Sequence, residues 1–269
     1  MQKIERKLRF FFLIICACTS CGHLAKPQDP PHLTSLQQCI ENETPFDPTS
    51  RYYLVILVDA KRFDYANFQT LCDSIAMQAQ SGSYVGHAWV MLVGERRGQK
   101  IVIEGGHSGE LGIGQDRYLE GVVKLAVSGD PNPIRYLHES LDDGFFQPGS
   151  GGHEPTFAAR IELNQAQFEE IFAALQPLRY NFDLYSLTQN QCITLVTKIA
   201  CLAGLHLQGE VTLTVPQYCW VGGSRLRLWQ DRRYQAVTFS SPDRLEASLV
   251  EAVYQGKAKA AFKWYFQNK

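Results

Sequence analysis

The sequence predicts an α+β domain: a small, mostly antiparallel sheet flanked by helices, with a cysteine at a helix start packed on a strand that carries a histidine. Three stretches predict it. Residues 51–59, RYYLVILVD, are a β-branched and aromatic run, the mark of a buried strand. Residues 86–93, GHAWVMLV, and 99–104, QKIVIE, read as two strands joined by a turn. Residues 185–205, YSLTQNQCITLVTKIACLAGL, read as a polar turn that opens a helix at Cys192. Thr188 or Asn190 supplies the N-cap, and Thr188 with Gln191 fits a capping box. Leu195, Val196, Ile199 and Ala203 follow at helical spacing and turn the thiol inward, and Gly204 suits the helix end.

The bulk composition is that of a globular protein. The chain has 269 residues, 45% hydrophobic and 20% charged, with a net charge of −1, enough for one large domain or two small ones. Without a basic excess, no nucleic-acid partner is expected. Lys3, Arg6, Lys7 and Arg9 precede an apolar run at residues 10–15, a signal-peptide layout whose apolar run is too short to span a bilayer. Ile15, Ala17 and Cys18 resemble a bacterial lipobox, and Cys21 is a poorer match. The expectation is a signal peptide over residues 1–17, a lipid such as palmitate on Cys18, a Pro-rich tether over 18–50 and a single domain over 51–269. That places the protein on the bacterial cell envelope, outside the cytoplasm and held to a membrane by its N-terminal lipid. An ordinary secreted leader with incidental cysteines is the alternative. Beyond Cys18 and Cys21 stand Cys39, Cys72, Cys192, Cys201 and Cys219, an odd number that leaves a thiol free if the others pair.

After the strand at 51–59, an amphipathic helix is expected over residues 64–80. In the hairpin, His87, Trp89, Met91 and Val93 share one face. With a turn at 94–97, Val93 pairs with Gly98, and His87 then lies opposite Glu104 on that face. An imidazole held by a carboxylate suits a general base. The plainer reading is a half-buried histidine beside an edge glutamate. His107, in the glycine-dense stretch 105–115, is the rival partner, and that stretch reads as a mobile rim over a cleft. Residues 118–127 read as strand-like or mixed, and 128–155 as a surface insertion with His138 and His153 exposed. No spacing of ligands points to a metal site.

Residues 156–163 alternate as a strand, and Asn164 with Gln167 caps the helix that follows, to about 175. Strands are expected at 206–215 and 232–239, the latter closing the sheet. Between them lies YCWVGGSRLRLW (218–229), aromatic, glycine-turned and basic. A helix is expected at 245–254. The tail at 257–269 reads as a terminal helix docking Phe262, Tyr265 and Phe266, with a membrane-surface helix as the alternative.

The G-H-x-x-V strand, the V-I-E-G strand and the later Y-x-L-x-x-N-x-C turn resemble the circularly permuted papain-like proteins, a group that includes NlpC-type, YiiX-like and lecithin:retinol acyltransferase-like members. The resemblance spans about residues 84–205. It implies Cys192 as nucleophile, His87 as base and Glu104 as the orienting third residue, with no cofactor and no metal. Tyr185, Gln191 and His107 are expected to line the substrate site. A thiol in a first helical turn is favoured as thiolate, the nucleophilic form; a buried cysteine that only fills space is the plainer alternative. The expected activity is a cysteine peptidase- or amidase-type hydrolase, or an acyltransferase, acting through Cys-His-(Glu) on amides or esters. Peptidoglycan peptides are the leading substrate and acyl lipids the alternative. A non-catalytic envelope lipoprotein that binds such a partner, and thiol-redox chemistry between Cys192 and Cys219, are the other readings.

Overall fold

From Leu54 to Asp59, every side chain of β1 (Tyr53–Asp59) is buried, which makes it the innermost strand of the protein. The computed structural model describes residues 32–47, 49–80, 86–109, 114–221 and 224–269. The expectations at Cys18 and Cys21 lie outside them. Strand β1 pairs antiparallel with β2 (His87–Arg96) on one side and β5 (Phe157–Glu162) on the other. The sheet continues through β3 (Gln99–Gly109) to β4 (Gly144–Pro148) at one edge, and the short β10 (Lys259–Ala260) forms the other. The order of the six strands is β10-β5-β1-β2-β3-β4, and each neighbouring pair is antiparallel. The protein is therefore α+β, with a six-stranded antiparallel sheet flanked by helices.

Alternation along the strands divides the sheet into two apolar faces. On the first, Leu54, Ile56 and Val58 of β1 and Ala88, Val90 and Leu92 of β2 pack with four helices. These are α1 (His32–Glu41), α4 (Gln165–Ala174), α5 (Cys192–Leu202) and α6 (Pro242–Tyr254). Leu195, Val196 and Ile199 of α5 are fully buried there, at the helical spacing that the sequence shows. Truncating Ile199 to alanine is expected to cost about 2–5 kcal/mol. On the second face, Val55, Leu57, Trp89, Met91 and Val93 pack against Ala261 and against Tyr265 of α7 (Phe262–Asn268).

A smaller core lies beside the sheet. It joins Phe68 and Leu71 of α2 (Phe68–Gln80) and Val122 of α3 (Gly114–Val127) to a ribbon of β6 (Glu210–Thr214) and β9 (Ala236–Ser240). A second ribbon, β7 (Tyr218–Val221) with β8 (Ser224–Arg227), borders it.

Several expectations are confirmed residue by residue. Asn164 Oδ1 accepts from the Gln167 amide at 2.9 Å, and Gln167 Oε1 accepts from the Asn164 amide at 3.0 Å, closing the expected capping box. Helix α6 and the terminal helix α7 lie where they were expected and Tyr265 is buried, but Phe266, expected to dock with it, is exposed, and residues 259–260 ahead of the helix are strand β10.

Others need correction. The hairpin turns at Arg97 and Gly98, both with positive φ, and Arg96 pairs with Gln99. Gly94 is a strand residue instead. The Phe168 ring of α4 lies where its side chain would be, with a Cβ there only 2.3 Å from the ring. Residues 118–127 belong to helix α3. They were expected as strand-like or mixed, and in the helix Val122 is buried in the smaller core. Part of the supposed surface insertion is edge strand β4 of the main sheet. Residues 236–240 pair with β6 in their own ribbon and do not close that sheet. The expected tether is folded in from His32 onward, with Cys39 of α1 in the main core. There the Glu43 carboxylate accepts from the amides of Lys263 and Trp264 at 2.8 and 2.7 Å, capping α7. All five cysteines at positions 39, 72, 192, 201 and 219 are free thiols.

Candidate functional site

Cys192 is the first residue of α5, and its approach is fixed by side-chain hydrogen bonds. The Asn190 amide donates to the carbonyls of Asn181 at 2.9 Å and Leu184 at 2.6 Å, which fastens the turn before the helix. The N-cap is Gln191, not Thr188 or Asn190. Thr194 Oγ1 accepts from the Gln191 backbone amide at 2.6 Å, while the buried Thr188 hydroxyl has no hydrogen-bond partner among the described residues. Gln191, expected beside substrate, is buried. Its side-chain amide donates to the carbonyls of Leu187 and Ser240 at 3.1 and 2.8 Å, and its Oε1 accepts from the Cys192 thiol at 3.5 Å.

The thiol itself is only 3% exposed. Burial pushes it up to about 11, against the opposing pull of the backbone amides of Ala88, Ile193 and Cys192. The helix start acts as the sequence suggests, but desolvation outweighs it. At neutral pH the group is a protonated thiol.

Cys192 packs on the sheet face of Ala88, Val90 and Leu92. His87 belongs to the other face, with Trp89, Met91 and Val93. Its ring stacks on Trp89 and on His153, with centroids 5.9 and 4.9 Å away. Its buried Nε2 has no hydrogen-bond partner among the described residues and lies over Gly106, where a Cβ would come within 2.8 Å. Burial, with the neighbouring His153, lowers the imidazole to about 3. Glu104 sits opposite Met91, not His87. Its carboxylate accepts from the Trp89 indole at 3.1 Å and the Tyr265 hydroxyl at 2.6 Å, tying α7 to the sheet. The structure thus does not bring Cys192, His87 and Glu104 together. The slip comes from the turn: the hairpin bends later than expected, and the shared face of His87 and Glu104 is the one turned away from α5.

His107 is the imidazole on the cysteine's side. Gly105 pairs with Val90, so His107, two residues on, points to the same face. It is 0% exposed and enclosed by the rings of Tyr180, Phe182 and Tyr185, all in edge-on contact. Its Nε2 lies 3.0 Å from the Phe182 carbonyl and its Nδ1 3.1 Å from the Tyr180 hydroxyl. A carbonyl only accepts, so the proton is on Nε2, and Nδ1 accepts from Tyr180. Burial lowers this imidazole to about 4, against the pull of the Phe182 carbonyl and Asp143. The Tyr180 phenol is raised first by burial and next by its neighbour Cys192. Tyr180, His107 and the Phe182 carbonyl therefore form a short hydrogen-bonded chain, with Cys192 an electrostatic neighbour of the Tyr180 phenol while its thiol donates to Gln191 Oε1. Gly144 leaves room for this chain, since a Cβ there would come within 2.9 Å of His107 Nε2.

Tyr185, expected at the site, is there as a buried ring against His107. Tyr180 was not foreseen, although it stands in the same aromatic approach, RYNFDLY, that leads to the cysteine helix. His153 is not a bland exposed residue. Its Nδ1 lies 2.8 Å from Asp59 Oδ2, and Lys61 holds the other carboxylate oxygen at 2.8 Å. Comparisons with family models, curated proteins and solved structures find no match to this chain.

Proposed function

We propose that the protein is an envelope-attached thiol hydrolase or acyltransferase of permuted papain-like type, acting on an amide or ester, with peptidoglycan peptides as the leading substrate. Cys192 is the nucleophile, and His107, rather than His87, is its base. The observation that carries this reading is the pair of hydrogen-bond contacts that fix the His107 ring. Its Nε2 proton is held by the Phe182 carbonyl, and its Nδ1 accepts from Tyr180, the phenol that Cys192 neighbours electrostatically.

In the opened site the thiol turns from Gln191 Oε1 to the Tyr180 oxygen and passes its proton there as the Tyr180 proton passes to His107 Nδ1, leaving a thiolate and an imidazolium. The thiolate attacks the carbonyl carbon, and the Cys192 backbone amide helps hold the oxyanion. The leaving amine or alcohol takes the proton back along the same path. Water or an acceptor then releases the acyl group from sulfur. Because Cys192 is 3% exposed, the cycle includes an opening step that uncovers it.

The test is site-resolved alkylation of the purified protein as a function of pH, in wild type, His107→Ala, His87→Ala and Cys192→Ser. Reactivity of Cys192 that survives loss of His87 and falls with loss of His107 supports the pair. Reactivity that ignores His107 sinks it. Release of amines from wall peptides, abolished in Cys192→Ser, supplies the activity arm.

One observation favours a second reading. The buried, raised thiol also fits a non-catalytic envelope protein in which Cys192 only fills the core. In that case Cys192 stays unmodified in the folded protein up to about pH 9, and Cys192→Ser leaves the protein's cellular role intact.

A further inference from the structure

The β7–β8 ribbon has no part in the site around Cys192, and its surface chemistry does not depend on whether that site is catalytic. Its register pairs Tyr218 with Arg227, Cys219 with Leu226 and Trp220 with Arg225. Alternation puts Cys219 and Leu226 on one face, and Cys219 packs against the smaller core. Tyr218, Trp220, Arg225 and Arg227 share the other face, and all four are exposed. Trp220 is 68% exposed and Tyr218 40%. The Arg225 guanidinium lies 3.9 Å over the Tyr218 ring.

The base of the ribbon is anchored. The Leu228 amide donates to the Gln217 carbonyl at 2.8 Å, and the Trp229 indole donates to the Val215 carbonyl at 2.9 Å. The outer face therefore rides on a fixed support. It carries two aromatic rings and two positive charges, and its four residues include no acid.

We propose that this face docks on an anionic lipid bilayer, with Trp220 and Tyr218 entering the boundary between headgroups and acyl chains and Arg225 and Arg227 meeting lipid phosphates. Two features select a bilayer. Tryptophan and tyrosine have apolar bodies with polar edges, the combination that settles at a membrane interface. The arginines complement anionic headgroups, and their long stems let the charge stay at phosphate level while the ring beside it goes deeper.

The test uses the full chain with vesicles of phosphatidylglycerol and phosphatidylcholine, or of phosphatidylcholine alone, each containing bromine-labelled acyl chains that quench tryptophan. The tryptophans are at positions 89, 220, 229 and 264, and residues 1–31 contain none, so the signal does not come from the leader. The expected result is quenching on the anionic vesicles that is lost in Trp220→Phe. Arg225→Glu with Arg227→Glu should lower vesicle affinity on the order of tenfold or more. Bound protein with unquenched emission, or quenching that persists in Trp220→Phe, overturns the proposal. Equal quenching on neutral vesicles overturns the assignment to anionic lipid.

Discussion

The Tyr180 hydroxyl donates to His107 Nδ1 across 3.1 Å, while Nε2 of the same ring donates to the Phe182 carbonyl across 3.0 Å. The imidazole is thereby held in one tautomer and one orientation, facing the helix that begins at Cys192. Tyr180→Phe removes the donor and leaves a buried nitrogen without a partner, at a cost of about 1–3 kcal/mol. If Tyr180 relays the proton, this variant should also lose most turnover while keeping substrate affinity. Urea unfolding reads the first effect and steady-state kinetics the second.

Glu104 offers a clean contrast. Its carboxylate binds Trp89 and Tyr265, on the face away from Cys192. Glu104→Ala should destabilise the fold by about 1–3 kcal/mol and loosen α7. The alkylation rate of Cys192 should stay within about twofold of wild type. A large fall in that rate with stability unchanged would restore Glu104 to the site.

Acid should unfold the protein through its buried imidazoles. His107 and His87 are neutral when folded, with values near 4 and 3, below the ordinary value of 6.5. Below about pH 6.5 the unfolded chain binds protons that the native state refuses, so stability falls as pH falls. Between about pH 6.5 and 5, each histidine contributes a loss of about 2 kcal/mol. His107→Gln should flatten this slope in urea titrations taken at several pH values. An unchanged slope would show that His107 is protonated in the native state.

Gly94→Ala places a methyl group 2.3 Å from the Phe168 ring, so the strand or α4 must shift. The expected loss is about 1–3 kcal/mol. Pairing it with Phe168→Leu should recover part of that loss, because the smaller side chain vacates the space. Additive losses in the double mutant would mean that the two sites do not meet.

The sequence conveys the elements better than their placement. β1, the Asn164 capping box and the helix at Cys192 follow from local chemistry, and local chemistry is visible in a single chain. The hairpin register is not so local. Gly94 looks like a turn residue, and only the Phe168 ring, 74 positions later, explains why glycine stands inside the strand. Moving the turn to Arg97 and Gly98 moves the partner of Glu104 by four residues, from His87 to Met91. The sheet face that receives α5 depends on how α5 packs, which strand periodicity does not state. Tyr180 meets His107 across 73 positions, so nothing beside either residue announces the other. The helix over residues 118–127, expected as strand-like or mixed, buries Val122 in the smaller core, a distant contact that local pattern does not show.

The clamp of Glu43 on the amides of Lys263 and Trp264 joins segments 220 and 221 positions apart. Central strand β1 likewise waits about 100 positions for β5, and β5 as long again for β10. A chain emerging from a ribosome or a translocation channel therefore has its middle strands in hand well before the pieces that cover their edge and far face. Until residues 259–265 are free, β5 lacks its outer neighbour and Trp89 lacks the Tyr265 lid. During that interval the protein presents an open strand edge and bare apolar surface, and a chaperone that holds it then would be guarding the side that α7 later seals.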